Sequence, residues 1–174
     1  VFEDCRFEAN IAQAGGAIHC EPNAAPSVSR ATILGNRAAV SGGALHCAAG
    51  AAPHLLRCTL VDNGAADGGG VYSLSGQAQL AASIIAFGSG GGAFGGTGAN
   101  FSCSDLYGNT GGDWTGAIAA QAGTAGNFSL DPLFCDLPGG DLRLWNSSPC
   151  IQVACGLIGA WPMGLTNPQD VGPP

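Results

Sequence analysis

The chain has 174 residues, enough for one domain with a real core. It is 46% hydrophobic and 10% charged, with 30 glycines, no lysine, five arginines and a formal net charge of −7. Nucleic-acid binding and attachment to an anionic membrane surface both need concentrated positive charge, so this balance excludes them and leaves a soluble acidic protein.

No run reaches the ~18 consecutive apolar residues of a membrane span. No basic-then-apolar leader stands ahead of the first repeat, so any secretion signal is expected to have been removed or to lie outside the chain. Eight cysteines without a zinc-type Cys-x-x-Cys pair point to an oxidising compartment, with some of them as buried thiols.

From the N-terminus the chain repeats itself. "FEDCRFEANIAQAGGAIHC" (2–20), "VSRATILGNRAAVSGGALHC" (28–47) and "LLRCTLVDNGAADGGGVYS" (55–73) are copies of one unit, and a degenerate fourth begins "LAASIIAFGS" at 80. Corresponding positions fall into columns: Phe2, Val28, Leu55, Leu80; Cys5, Ala31, Cys58, Ser83; Phe7, Ile33, Leu60, Ile85; Asn10, Asn36, Asn63; and Ile18, Leu45, Val71, Phe94. Apolar residues alternate with polar ones over short stretches, which is strand periodicity, and glycine, asparagine and proline punctuate the strands. No stretch sustains a capped 3.6-residue stripe.

A unit of about 26 residues with several short strands cannot close a core alone. Coils stacked at about 4.8 Å place like on like around one interior. The predicted fold is therefore all-β, a right-handed parallel β-helix. Regular coils occupy 1–95, and irregular last coils with a C-terminal cap of the same domain occupy 96–174. Stacked Asn10, Asn36 and Asn63 are expected to form a side-chain amide ladder with a purely structural role.

After residue 95 the repeat dissolves. "CSDLYGN" (103–109), "DPLF" (131–134), "GDLRL…SSPC" (140–150) and "CGLIGAW" (155–161) then follow in order. This string resembles the C-terminal end of secreted bacterial right-handed parallel β-helix repeat proteins of the pectate-lyase-like superfamily, and the upstream copies resemble the same family. The resemblance implies that Leu133, Phe134, Leu142 and Leu144 continue the core, and that "SSPC" and "IGAW" close its C-terminal end. It implies little about activity, because lyases, hydrolases, adhesins and passive scaffolds share the fold. The chain opens at Val1 inside a repeat. An open first coil is expected if the chain is a fragment, if further coils were lost, or if that end is used for assembly.

Candidate sites follow from which way side chains point. Neighbours on a strand face opposite sides, so Ile18 and Cys20 turn inward and His19 outward, as do Leu45, Cys47 and His46. Two histidines and two cysteines then cannot share one zinc ion. Cys20 and Cys47 stack inside as a buried thiol ladder or as a vertical disulfide. His19, His46 and Tyr72 form an outward ring column that could meet a sugar ring or a surface metal, or simply be a solvated row. Arg30 and Arg57 share a column with Asp4, which suits an acidic polysaccharide or a surface ion pair.

Among the carboxylates, Asp62 and Asp67 flank one turn, but no second acid stacks with them to give a glycosidase pair. Asp105 and Asp131 read as turn residues. Connectivity does not follow from spacing; Cys150–Cys155 would pin the exit from the last coil, with Cys103–Cys135 as the complementary bond.

These readings point to a secreted, extracellular, non-catalytic β-solenoid for structure, adhesion or self-assembly, with end-to-end filaments as one form. The alternative is a polysaccharide lyase or glycoside hydrolase of the β-helix type. No cofactor, metal or nucleic acid is called for. The expected partners are another copy of the chain or an extracellular polysaccharide.

Overall fold

The computed structural model describes residues 1–74, 77–152 and 154–161. Its first coil holds β1 (Phe2–Glu3), β2 (Arg6–Glu8), β3 (Ile11–Ala14) and β4 (Ile18–Cys20). The second holds β5 (Ser27–Ser29), β6 (Thr32–Leu34), β7 (Arg37–Ser41) and β8 (Leu45–Cys47). The third holds β9 (His54–Leu56), β10 (Thr59–Val61), β11 (Gly64–Ala65) and β12 (Val71–Ser73). The fourth holds β13 (Ala78–Ala81), β14 (Ile84–Ala86), β15 (Ser89–Gly90) and β16 (Phe94–Gly96), and β17 (Ala99–Ser102) and β18 (Asp105–Tyr107) begin a fifth.

Each strand pairs in parallel with its counterpart one coil away, giving four stacked sheets: β1-β5-β9-β13-β17, β2-β6-β10-β14-β18, β3-β7-β11-β15 and β4-β8-β12-β16. The chain is thus a parallel β-helix of about four turns. The predicted columns are the observed register: Phe2 pairs Val28, Val28 pairs Leu55, Leu55 pairs Leu80, and Ile18, Leu45, Val71 and Phe94 stack in turn. Their interior-facing members make one continuous core with Ile33, Leu60, Ile85 and Leu106.

Two features of the repeat explain its recurrent residues. The first glycine of the pair at Gly42–Gly43 has φ +65°, and a Cβ there would strike the Leu45 carbonyl oxygen at 2.3 Å. A Cβ on the second would lie 2.1 Å from the Gly69 carbonyl oxygen of the next coil, so the pair turns the corner and lets coils approach. The asparagine column is a hydrogen-bonded ladder: Asn63 Oδ1 accepts from the Asn36 N–H and Nδ2 at 2.9 and 3.0 Å, and Asn36 Oδ1 does the same for Asn10 at 3.0 and 2.9 Å. Asn63 Nδ2 also donates to the Ile33 carbonyl at 2.8 Å. Replacing Asn63 with alanine strands two buried donors and a carbonyl. The expected loss is about 2–4 kcal/mol by urea denaturation, and a loss below about 0.5 kcal/mol, the range of ordinary surface changes, would show that the ladder does not bear on stability.

Two further corners are less legible. Between the first and second sheets, Asp4, Arg30, Arg57, Ala82 and Cys103 all take left-handed φ near +50°, and Ala9, Gly35, Asp62, Phe87 and Gly108 do so between the second and third. The non-glycine residues among them cost roughly 1–2 kcal/mol each. Each amide of the first set donates to a carbonyl of the following turn, as Arg30 N–H does to Leu56 and Arg57 N–H to Ala81.

The C-terminal half departs from expectation. A 3₁₀ helix, Gly116–Gln121, covers the end of the interior with Ile118, and the Gln121 amide pairs the open edge of β17 through Phe101 N–H and the Ala99 carbonyl at 2.8 and 2.7 Å. Phe128 does the same for β18. The segments "SSPC" and "IGAW" therefore do not close that end. They form a strap, together with the antiparallel hairpin β19 (Phe134–Asp136) and β20 (Asp141–Leu144), along the outer face of the second sheet. Phe134 and Leu144 likewise do not continue the interior; they join Ile84, Ala86, Cys150 and Ile158 in a second core outside the coils. The physical reason is the outer face itself. Its outward positions include Thr32, Thr59, Val61, Ile84 and Ala86, all buried, which would otherwise stand in water.

The strap is fixed by one disulfide, Cys103–Cys155, with Cα atoms 5.9 Å apart. This corrects both expected bonds in this half. Cys103 bonds Cys155 and not Cys135, and Cys150 is a buried thiol facing Asp105, so it is not the partner of Cys155. The one-turn helix α1 (Pro149–Gln152) turns Cys150 under the strap, while Cys155 reaches the corner at Cys103. Cys20 and Cys47 stack in register as thiols and carry no vertical disulfide.

Candidate functional site

The fourth sheet carries the ring column. His19 is exposed and His46 and Tyr72 half-buried, with register His19–His46–Tyr72 across β4, β8 and β12. The two imidazoles stack with centroids 4.7 Å apart and planes 5° from parallel, and His46 stacks on Tyr72 at 5.1 Å and 14°. Both faces of His46 are therefore covered by neighbours, so the column offers ring edges outward. Ser41 orients His46 through a 2.9 Å contact with Nδ1. Burial and the adjacent His19 hold His46 below the ordinary imidazole value. The next register position is Gly95, where a Cβ would lie 2.1 Å from the Asp67 carboxylate, so that carboxylate fills the rung.

Arg30 sits elsewhere, at the left-handed corner between the first and second sheets. Its guanidinium grips the Asp4 carboxylate in two bonds of 2.7 and 2.8 Å and reaches Glu3 at 2.6 Å. The paired guanidinium holds Asp4 below the usual carboxylate range and raises Arg30 itself. Arg57, one coil on, is exposed and makes no ion pair among the described residues. The whole first sheet separates this corner from the rings, so the five predicted ligand residues do not converge on one site. Ser27, His54, Gln79 and Leu56 line a groove of about 540 Å³ on that sheet, with Arg30 at its edge.

A second groove takes in none of the five predicted ligand residues. It is about 620 Å³ and runs between the second left-handed corner and the hairpin turn, lined by Arg6, Glu8, Leu34, Asp62, Phe87 and Leu137 among others. It contains two carboxylates, Glu8 and Asp62, from coils two apart. Each is held by an arginine: Arg6 donates to Glu8 at 2.7 and 3.0 Å, and Arg37 donates to Asp62 Oδ1 at 2.9 Å as well as to the Asp62 carbonyl. The Arg6 bond keeps Glu8 below its ordinary value, so it is poorly suited to donate a proton.

The acid that could donate one near neutrality is Asp105, which burial pushes up to about 7. It is fully buried and faces the strap rather than a groove. Leu130 N–H donates to its Oδ1 at 3.1 Å and the Cys150 thiol to its Oδ2 at 3.3 Å. The turn reading of Asp105 is thus corrected, whereas Asp131 does accept from Leu133 N–H in a turn, at 2.9 Å. No group of three or more potential ligands is arranged to hold a metal among the described residues.

Set beside known proteins, residues 30–48 match the family described as the Chlamydia polymorphic membrane protein repeat. The matched stretch runs from the left-handed corner at Arg30 through Asn36 and Gly42–Gly43 to just past His46–Cys47, most of one coil. No curated protein and no solved structure matches the chain. Fold and match together define a parallel β-helix repeat protein.

Proposed function

We propose that the chain is a surface-displayed, non-catalytic β-solenoid module that serves extracellular structure and adhesion. The observation that carries this reading is where the polar and aromatic side chains outside the core are committed. Rings stack on rings, Arg30 binds Asp4 and Glu3, and Arg37 binds Asp62, each across neighbouring coils. Side chains spent on coil-to-coil ladders build a stiff rod. The match to a repeat of a polymorphic membrane protein supports display at a surface, and the Cys103–Cys155 bond supports an oxidising compartment.

An antibody raised against the recombinant chain is expected to label intact source cells. Labelling only after permeabilisation would overturn the surface reading. One observation favours an enzyme instead, namely that Glu8 and Asp62 share a groove. No turnover of uronic-acid or neutral polysaccharides is expected, with or without calcium. Turnover that is lost in Glu8→Gln would replace the structural reading with the enzymatic one.

A further inference from the structure

Behind the rings, the inward column of the fourth sheet reads Cys20, Cys47, Ser73 and Gly96. Cys20 and Cys47 are register partners on neighbouring parallel strands, and both are almost wholly buried. Parallel neighbours about 4.8 Å apart fall inside the roughly 4.4–6.8 Å Cα separation of disulfides. The other buried thiols lack this arrangement. The column neighbours of Cys58 are Ala31 and Ser83, and its thiol donates to the Val28 and Leu56 carbonyls. Cys150 faces Asp105. One rung beyond Cys47, the Ser73 hydroxyl is buried with no hydrogen-bond partner among the described residues, so it does not compete with Cys20 for the Cys47 thiol.

We propose that Cys20 and Cys47 are an oxidisable pair, which thiol–disulfide exchange with a small organic disulfide closes into a staple between the first and second coils. The Cys20 thiolate attacks one sulfur of the small disulfide and expels its first thiolate, leaving a mixed disulfide on Cys20. The Cys47 thiolate then attacks the Cys20 sulfur and expels the second. Two protein thiols are oxidised and one disulfide is reduced to two thiols, and the two protons leave Cys20 and Cys47 for the departing thiolates. Cys20 leads because it keeps what exposure the pair has, 2% against none for Cys47, and Cys47 resolves the mixed disulfide.

The test refolds and incubates the full chain in glutathione buffers of increasing oxidised fraction, followed by acid quench, denaturing alkylation and peptide mass spectrometry. The expected product joins the peptides bearing Cys20 and Cys47 with loss of two hydrogen atoms, while Cys58 stays alkylatable as an internal control. Closing a loop of 27 residues (20 to 47) should raise the thermal midpoint on the order of 10 °C, a rise absent in Cys20→Ser and in Cys47→Ser. Refolding in the oxidising buffer admits the oxidant before the coils close, so burial does not shield the pair from the test. The proposal is overturned if both thiols remain alkylatable after oxidative refolding, or if a mixed disulfide with glutathione accumulates on Cys20 without resolution by Cys47. Neither outcome bears on surface display.

Discussion

Asp105→Asn is expected to stabilise the protein by about 3 kcal/mol at pH 8 and to leave it nearly unchanged at pH 4. An unfolded aspartate titrates near 3.9, whereas burial holds Asp105 at about 7 in the folded chain. Between those values the folded chain keeps a proton that the unfolded chain has lost. Stability therefore falls as pH rises through the window, and the loss is complete above about 7. Three pKa units correspond to about 4 kcal/mol, and asparagine forgoes part of the gain because Cys150 is a weak acceptor for its amide. Its oxygen still accepts from Leu130 N–H, as Asp105 Oδ1 does at 3.1 Å. The charged groups facing the site, Asp113 and Asp131, both disfavour a second negative charge, and the Cys150 thiol contributes only its hydrogen bond. Urea denaturation of both proteins at the two pH values isolates the effect. An equal difference at pH 4 and pH 8 would place the ionisation of Asp105 outside this window.

Cys155→Ser is expected to cost about 4 kcal/mol, because the bond to Cys103 closes a loop of 52 residues that includes the 3₁₀ helix and the hairpin. The thermal midpoint should drop on the order of 10 °C, and the strap should become the first site of proteolysis. Beyond the bond and the Cys150–Asp105 contact, the end of the strap makes three polar contacts with the coils among the described residues. Gly159 N–H donates to the Ala82 carbonyl, Ala160 N–H to Thr59 Oγ1 and Trp161 Nε1 to Thr32 Oγ1. Releasing it would uncover Val61, Ile84 and Ala86 on the second sheet, so binding of a hydrophobic dye should rise together with cleavage. A midpoint and a cleavage pattern unchanged from wild type would show that the strap holds without its covalent anchor.

The coils were legible because their signal repeats. Phe2, Val28, Leu55 and Leu80 are aligned by period alone, and the alternation of Ile18, His19 and Cys20 gave the direction of every ring. The strap was not legible, since it has no copy to align with and its path depends on what it covers. A hint existed in "TLV" at 59–61 and "IIA" at 84–86, which carry apolar residues on the outward side of a strand as well as the inward one. The disulfide pairing followed the strap and was lost with it. The left-handed corners were hidden because Asp4, Arg30, Ala82 and Phe87 stand where glycine would have announced the turn. Glu8 and Asp62 escaped notice as a pair because they come from different columns, a strand end and a corner two coils away.

The strap also counts. Three successive residues, Gly159, Ala160 and Trp161, each touch a different coil, the fourth, third and second in turn. A stack of near-identical rungs has no intrinsic address, and Asn10, Asn36 and Asn63 could exchange places at little loss. The strap supplies that address, reading the coils backwards from its anchor at Cys103. A coil inserted between Ala82 and Cys103 would put all three contacts out of step, and one between Thr32 and Thr59 would displace the Trp161 contact alone, whereas one inserted ahead of Thr32 would pass unread. Change in the length of this rod is therefore confined to one side of the second coil.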